Sequence, residues 1–590
     1  MQAVKNKNRS RLIAAAMQRI PCDLTVENVR FVNVITGQIY PASVDVIDGV
    51  VVRVREAGEE TSVPSKKIYD GGGRYLVPGF FDVHLHIEST MMIPENFGRA
   101  VAMCGTTTVV TDPHEIGNVM GIDGVRFMLE SGRKAPIRVY ALAPSCVPSV
   151  EGVEGNGASF GAREIRELMA EDDVLGVAEV MDFVGVINDV PRMHDIVQAG
   201  IDADAFVQGH APGILGKELA AYAVAGPVSC HESRTAEQVA QKLRMGMHVN
   251  LQSSSLSVGL LPELLKGLEG MRWTDNVSIC TDDIHAGDIL KTGHINRVIK
   301  HALALGLDPV DAIRFATYNP AREYGFSDLG AIAPGYLADM QLLDELDGEN
   351  PYAVFVGGKL ICEAGKLVDD KKEASDYTFP NTVNMPQIIC ADDFRLKAPE
   401  NCGDTVKTIV LSSDRVIFYE ANYEELPVKD GYVDISGDPD LCFVAICNRY
   451  GSGDKSIAVY RGFGLEKGAV ASTISHDCHN FTVVYKDPAD AFAAAKELAR
   501  VGGGVTAVEN GAPISTLALP VAGLMSELPV EPLAAKTQET EKAIATLCYG
   551  KEGMLLKTAV MALACLPCVV MTDKGVFDGL NSVFLPVFKD

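Results

Sequence analysis

The sequence predicts an α/β protein: a (β/α)8 TIM-type barrel inserted in a small β-sandwich domain formed by both flanks, followed by a C-terminal α+β domain. Three observations carry this expectation. Between about residues 78 and 330, apolar strand-like runs alternate with helical patterns, which calls for a parallel sheet with crossover helices. Eight such runs fall within about 250 residues, the size of one closed barrel. On either side lie alternating, β-branched stretches, LTVENVRFVNV and SVDVIDGVVVRV before the barrel and residues 338–367 after it, which read as hairpin strands of one small domain built from both flanks.

The expected organisation is therefore an N-terminal helix over 1–22, a composite β domain from 23–77 and 331–384, the barrel over 78–330 and a C-terminal domain over 385–590. A chain of 590 residues is too long for one core, and its 47% apolar and 22% charged residues are those of a globular chain rather than a disordered one. Its formal net charge of -26 would be repelled by phosphate backbones, which speaks against a nucleic-acid partner and for a small neutral or cationic ligand.

At the N-terminus, Lys5, Lys7, Arg9, Arg11 and Arg19 surround an apolar stretch too short for a secretory core, so the segment reads as an amphipathic helix stopped before Pro21. The longest apolar run, residues 558–571, is short of a membrane span and contains a proline. Fourteen cysteines scattered from Cys22 to Cys568 form no disulfide framework and suit a reducing compartment. The single C-x-x-C, Cys565 to Cys568, lacks a second pair or a nearby histidine and reads as a buried structural pair. The expected location is cytoplasmic, with no membrane partner.

The eight barrel strands are read as FFDVHLHI, TTTVVTD, IRVYALAP, VLGVAEV, AFVQGHA, GPVSCHE, HVNLQS and NVSICTDD, with AREIRELMA, KELAAYAVA and PELLKGLEG among the intervening helices. In such a fold chemistry sits where the strands end. The first strand ends in His84 and His86, which share a face because strand side chains alternate. The fourth ends in Glu179, the fifth in His210, the sixth in His231 and the eighth in Asp282 and Asp283. Ten of the twelve histidines fall between residues 84 and 301, a clustering that core packing does not require. Four imidazoles, a bridging carboxylate and a terminal aspartate supply enough nitrogen and oxygen donors for two divalent ions.

Several longer strings carry a resemblance. PGFFDVHLH, ATYNPAREYG and PGYLADM look like the amidohydrolase superfamily of metal-dependent barrel hydrolases. HLHIEST, TDPHEIGNV, GHAPGILGKELAAY, CHESRT and CTDDIHAGDI, with ASTISHDCHN, VGGGV and LPVAGLMS beyond the barrel, resemble the bacterial adenine deaminase family over nearly the whole chain. The resemblance implies hydrolytic deamination of the free base adenine to hypoxanthine and ammonia in purine salvage, two divalent metals of which manganese or iron is favoured, and a homodimer. Many relatives in the superfamily bridge their metals with a carboxylated lysine on the fourth strand. Here no lysine lies between Lys134 and Lys217, and Glu179 is the residue placed for that task.

Deaminating a purine needs a strong nucleophile at neutral pH and a supply of protons, and a water shared by two divalent cations is acidified enough to provide hydroxide. His84, His86 and Asp282 are expected at one metal, His210 and His231 at the other, and Glu179 across both. Asp282 is the expected base and later acid, with Asp283 its competitor. Glu88 is expected either to protonate a ring nitrogen or to support a histidine. His114, Arg234, Asp283 and His285 are candidates for contact with substrate. His194, His248, His294 and His301 read as structural, and His476 and His479 in SHDCHN as a hydrogen-bonded loop or pocket wall rather than a third metal site.

Rival readings fare differently. The zinc deaminase pattern H-x-E with P-C-x-x-C is half met by His86-Ile87-Glu88, but no P-C-x-x-C occurs in the chain. Hydrolysis of a cyclic amide would use the same donors, and a barrel that lost its metals would be a scaffold. The Gly502-Gly503-Gly504 triplet lacks the Lys-Ser/Thr of a phosphate loop and reads as a tight turn.

Overall fold

The computed structural model describes residues 8–56, 58–59, 61–255, 258–369, 377–413, 419–566 and 568–589. The described residues fall into two compact units, one drawn from 1–112, 128–143 and 165–375 and the other from 113–127, 144–164 and 376–590.

In the first unit a helix, Arg9–Ala16, is capped by the Asn8 side chain, which accepts the Arg11 backbone N–H at 3.2 Å. It seats Leu12 and Ala15 against Ile47, Val50 and Val52, and stops ahead of Pro21; Lys5 and Lys7 lie outside the described residues. The two flanks, expected as a β-sandwich, pair into one continuous nine-stranded sheet. The join is Met340–Leu343 running antiparallel to Tyr75–Pro78, with Leu76 opposite Leu342. Tyr75–Pro78 in turn pairs with Leu24–Asn33, so the hydrogen-bond ladder passes from one flank to the other without a break. Val26, Phe31, Val44, Leu76, Met340, Leu342 and Phe355 share one apolar core, with an irregularity between Val26 and Val29 bringing both ends of Leu24–Asn33 to the same face.

The middle of this unit holds eight parallel strands. Phe80–Leu85, Thr106–Thr111, Arg138–Ala143, Val174–Val180 and Phe206–Gly209, the first to fifth, form one sheet in that spatial order. Ser229–Cys230, His248–Gln252 and Val277–Cys280, the sixth to eighth, form another. Two links join them. Val228 donates its N–H to the Val207 carbonyl at 3.0 Å just before the sixth strand, and a parallel bridge pairs Leu85 with Asp282 just after the eighth. The arrangement is mixed α/β and consistent with a TIM-type barrel. Every residue of the first, second and eighth strands is buried, which is why they read as apolar runs rather than alternating ones. Gly209 follows from the close approach of its neighbours: a Cβ there would lie 2.3 Å from the Ser229 carbonyl oxygen.

The second unit is built on a ten-stranded, largely antiparallel sheet that includes Thr405–Ser412, Leu441–Cys447, Lys455–Arg461, Ala469–Ser472, Phe481–Tyr485 and Gly504–Glu509. Residues 414–418 of the strand-like TIVLSSDRVIFY lie outside the described residues. The helix Pro488–Val501 covers the sheet with Ala491, Ala494, Ala495 and Leu498. Asp487 caps its start by accepting the Ala489 N–H at 2.8 Å, and Gly502 ends it in the left-handed region at φ 83°. The glycine triplet is thus a helix stop leading into a strand. This unit also takes in 113–127 and 144–164, the segments that follow the second and third strands, which the sequence pattern alone assigns to the barrel.

Candidate functional site

Parallel strands deliver their carboxyl ends to one edge, and that edge of the first unit is where the donors stand. His84 and His86 lie at the end of the first strand, Glu179 one residue before the end of the fourth, and His210, His231 and Asp282 directly or shortly after the fifth, sixth and eighth. Glu179 uses both oxygens: Oε1 lies 3.3 Å from His86 Nε2, while Oε2 lies 2.5 Å from His210 Nδ1 and 3.2 Å from His231 Nε2. Asp282 Oδ1 sits 3.6 Å from His84 Nε2 and 3.5 Å from His86 Nε2. The His84 and His231 rings stack at 3.8 Å. Six donor residues from five strand ends are therefore within reach of one another.

Two features hold this geometry. The Nδ1 atoms of His84 and His86 face away from the carboxylates, toward Gln208 Oε1 at 2.9 Å and the Asp112 backbone carbonyl at 3.0 Å, which leaves both Nε2 atoms facing inward. Asp282 adopts a left-handed φ of 55°, a conformation Asp tolerates better than most side chains, while its N–H donates to the His84 carbonyl at 3.0 Å.

The electrostatics demand positive charge. Burial alone would raise the Glu179 and Asp282 carboxyls, but His210, His231 and His86 hold Glu179 well below the usual range, and His84 and His86 do the same for Asp282. Burial opposes protonation of His84 and His86, yet Asp282 and Glu179 outweigh it and raise both imidazoles. His231 is pushed down to about 4, by burial first and by the neighbouring His84 charge second. Two buried carboxylates that draw protons onto adjacent imidazoles offer the charge and the oxygen and nitrogen donors that suit a divalent metal centre.

The other expected site residues divide. Asp283 lies within reach of His86 and Asp282, and accepts the Ser89 hydroxyl at 2.5 Å. Glu88 is buried in a 3-10 turn, Ile87–Thr90, two residues beyond His86. Arg234 pairs with Glu232 at 2.7 Å, and Glu232 also accepts the Gln252 amide at 2.6 Å. His285 occupies the N-cap position of Ala286–Thr292, with its backbone N–H donating to Ser255 Oγ at 3.1 Å.

In the second unit, His114 opens the helix His114–Arg133 and places Nε2 3.7 Å from Asp477 Oδ1. Next to it Glu115 receives both histidines of SHDCHN: Oε1 lies 2.7 Å from His476 Nδ1 and Oε2 2.7 Å from His479 Nε2. His479 Nδ1 accepts the Ser475 N–H at 3.2 Å, so a proton on this ring sits on Nε2, the nitrogen beside Glu115. Burial lowers His479; against its own burial, Glu115 is held well below the usual range by His476 and His479 beside it. Sequence reasoning missed Glu115 because its partners lie more than 350 residues away. It missed Gln208 too, although Gln208 stands only two residues before His210.

Imidazoles and carboxylates gathered at the carboxyl ends of parallel strands define the class of amidohydrolases, and the family model described as "Amidohydrolase family" matches residues 75–361. A second, "Adenine deaminase C-terminal domain", matches residues 417–582. The chain is 36% identical to "Adenine deaminase 2" of Carboxydothermus hydrogenoformans, covering 98% of this chain and 99% of that one. It is also 36% identical to "Adenine deaminase" of Oleidesulfovibrio alaskensis, covering 99% and 100%. Among solved structures, a beta-aspartyl dipeptidase from Fervidobacterium islandicum AW-1 shares 19% identity over 59% of this chain with a TM-score of 0.46. The chain belongs to the adenine deaminase family.

Proposed function

We propose that this chain is an adenine aminohydrolase, which replaces the 6-amino group of adenine by oxygen to give hypoxanthine and ammonia. The observation that supports it is the meeting of His84, His86, Glu179, His210, His231 and Asp282 in a chain that aligns end to end with adenine deaminases. In this reading the eight parallel strands close as a (β/α)8 barrel over 78–330, the flanks 23–77 and 331–384 form one small domain, and 385–590 the C-terminal one.

His84, His86 and Asp282 would hold one divalent ion, His210 and His231 a second, with Glu179 spanning both; manganese or iron suits this donor set. When bound, such a pair supplies Lewis acidity that makes hydroxide available at neutral pH. Asp282 accepts the proton of the attacking water as its oxygen bonds to C6, and returns a proton to the departing ammonia as the C6–N bond breaks. Asp283, Arg234 and His285 contact the base, and Glu88 delivers a proton to a ring nitrogen.

The test is metal analysis of the purified chain combined with ammonia release from adenine, adenosine, cytosine and a panel of cyclic ureides. Two divalent ions per chain and turnover of adenine are expected. Turnover confined to ureides would move the chain to cyclic-amide hydrolysis, and protein with no transition metal and no ammonia release would make it a scaffold.

A further inference from the structure

We propose that Gln208 is a positioning residue that fixes which ring nitrogen of His84 carries the proton, with Tyr324 fixing Gln208 in turn. This rests on the reading of His84 as a metal ligand.

The hydrogen-bond pattern permits one assignment. One end of the Gln208 amide faces the Val83 carbonyl at 3.3 Å and the Tyr324 oxygen at 3.0 Å. A carbonyl can only accept, and the Tyr324 hydroxyl spends its own proton on the same Val83 carbonyl at 2.8 Å. Both partners therefore require a donor, so this end is the NH2 group. The Oε1 atom is left facing His84 Nδ1 at 2.9 Å, and since an amide oxygen can only accept, Nδ1 bears the hydrogen. When the ring carries a single proton, as a metal ligand must, the lone pair is then on Nε2, the atom turned toward Asp282.

All the participants are held fast. His84 and Gln208 are fully buried, and Val83, whose carbonyl anchors the amide, is the residue before His84 in the same strand. Gln208 lies in the fifth strand, two residues before His210. The arrangement answers a competing pull. Asp282 faces Nε2 and, as a carboxylate, would favour a hydrogen on that nitrogen, which would cost the ring its inward lone pair. His86 needs no such side chain: its Nδ1 is set by the Asp112 backbone carbonyl, which substitution cannot remove, and it serves as an internal control.

The experiment measures the affinity of each metal equivalent for the full chain by chelator competition with manganese, alongside the fold by circular dichroism. Gln208→Leu is expected to bind one equivalent roughly 10- to 100-fold more weakly and the other unchanged, the usual scale for a residue that orients a ligand. Gln208→Glu keeps an acceptor for Nδ1–H, and the Tyr324 hydroxyl can turn to donate to its second oxygen, so it is expected to restore affinity to within a few-fold. Wild-type affinity at both equivalents in Gln208→Leu would overturn the inference, and so would a Gln208→Glu protein as weak as Gln208→Leu. If Gln208→Leu does not fold, Tyr324→Phe decides: weaker binding of one equivalent supports the inference, and unchanged binding overturns it. His84→Ala retaining both metals would instead remove the underlying assignment of His84.

Discussion

Glu179 and His210 meet through Oε2 and Nδ1 at 2.5 Å, so His210 turns its Nδ1 toward the shared carboxylate while His86 and His231 present Nε2. One buried carboxylate thereby touches imidazoles from the first, fifth and sixth strands. Contacts to three separate strand ends make Glu179 a position whose loss is not local.

Glu179→Gln keeps the shape and removes the charge. The three imidazoles that now hold the carboxyl low would face a neutral amide, and the positive charge drawn into the cluster would lose one of its balancing carboxylates. We expect the variant to lose at least one of two metal equivalents, and ammonia release from adenine to fall by about a thousandfold or more, as for groups that act as a unit. Metal content near wild type with activity within tenfold would show that Glu179 does not span the two sites.

Asp282 and Asp283 are adjacent in sequence and separate in geometry. Asp282 approaches both histidines of the first strand, whereas Asp283 also receives the Ser89 hydroxyl. Asp282→Asn is therefore expected to abolish turnover, with kcat down by on the order of a thousandfold. Asp283→Asn should act mainly on KM. Steady-state kinetics on adenine separate the two, and the reverse pattern would exchange their roles.

How far the sequence leads can be judged from particular residues. Strands such as FFDVHLHI and VLGVAEV are legible because a buried parallel strand is an uninterrupted apolar run, and a histidine or glutamate at its end is conspicuous there. The continuous sheet of the flanks was not legible, because the pairing of Leu76 with Leu342 depends on contacts across more than 260 residues that no local pattern encodes. Gln208 and Glu115 carried no signal of their own, since an amide or a carboxylate becomes informative only once its distant partner is known.

Lys242 gives a prediction of another kind. Its ammonium group is fully buried and donates to the Ala211 carbonyl at 3.1 Å, the Glu232 carbonyl at 2.9 Å, Ser233 Oγ at 3.1 Å and Cys230 Sγ at 3.1 Å. Two of these acceptors directly follow His210 and His231, so the lysine ties together the segments that carry them. Lys242→Met fills the same volume and strands the acceptors, which costs about 1–3 kcal/mol for each buried group left unpaired. We expect a lower denaturation midpoint and weaker binding of the metal equivalent assigned to His210 and His231. An unchanged midpoint would show that the loops hold without the tether.

Glu154, in the second unit, sets a pH dependence. It is 3% exposed, and burial, followed by the Asp477 charge, pushes its carboxyl up to about 8. An unfolded glutamate titrates near 4.5, so between those values the folded chain keeps a proton that the unfolded chain has released. The contribution to stability is complete below about 4.5, declines as pH rises and is gone above about 8. Glu154→Gln is uncharged throughout and should be stabilised relative to the parent as pH goes from 5 to 8, by on the order of a few kcal/mol. Urea midpoints of the two proteins, compared at both pH values in the same metal-loaded state, measure the difference. If it stays constant with pH, Glu154 is ionised in the folded chain and its environment is not as apolar as its burial implies.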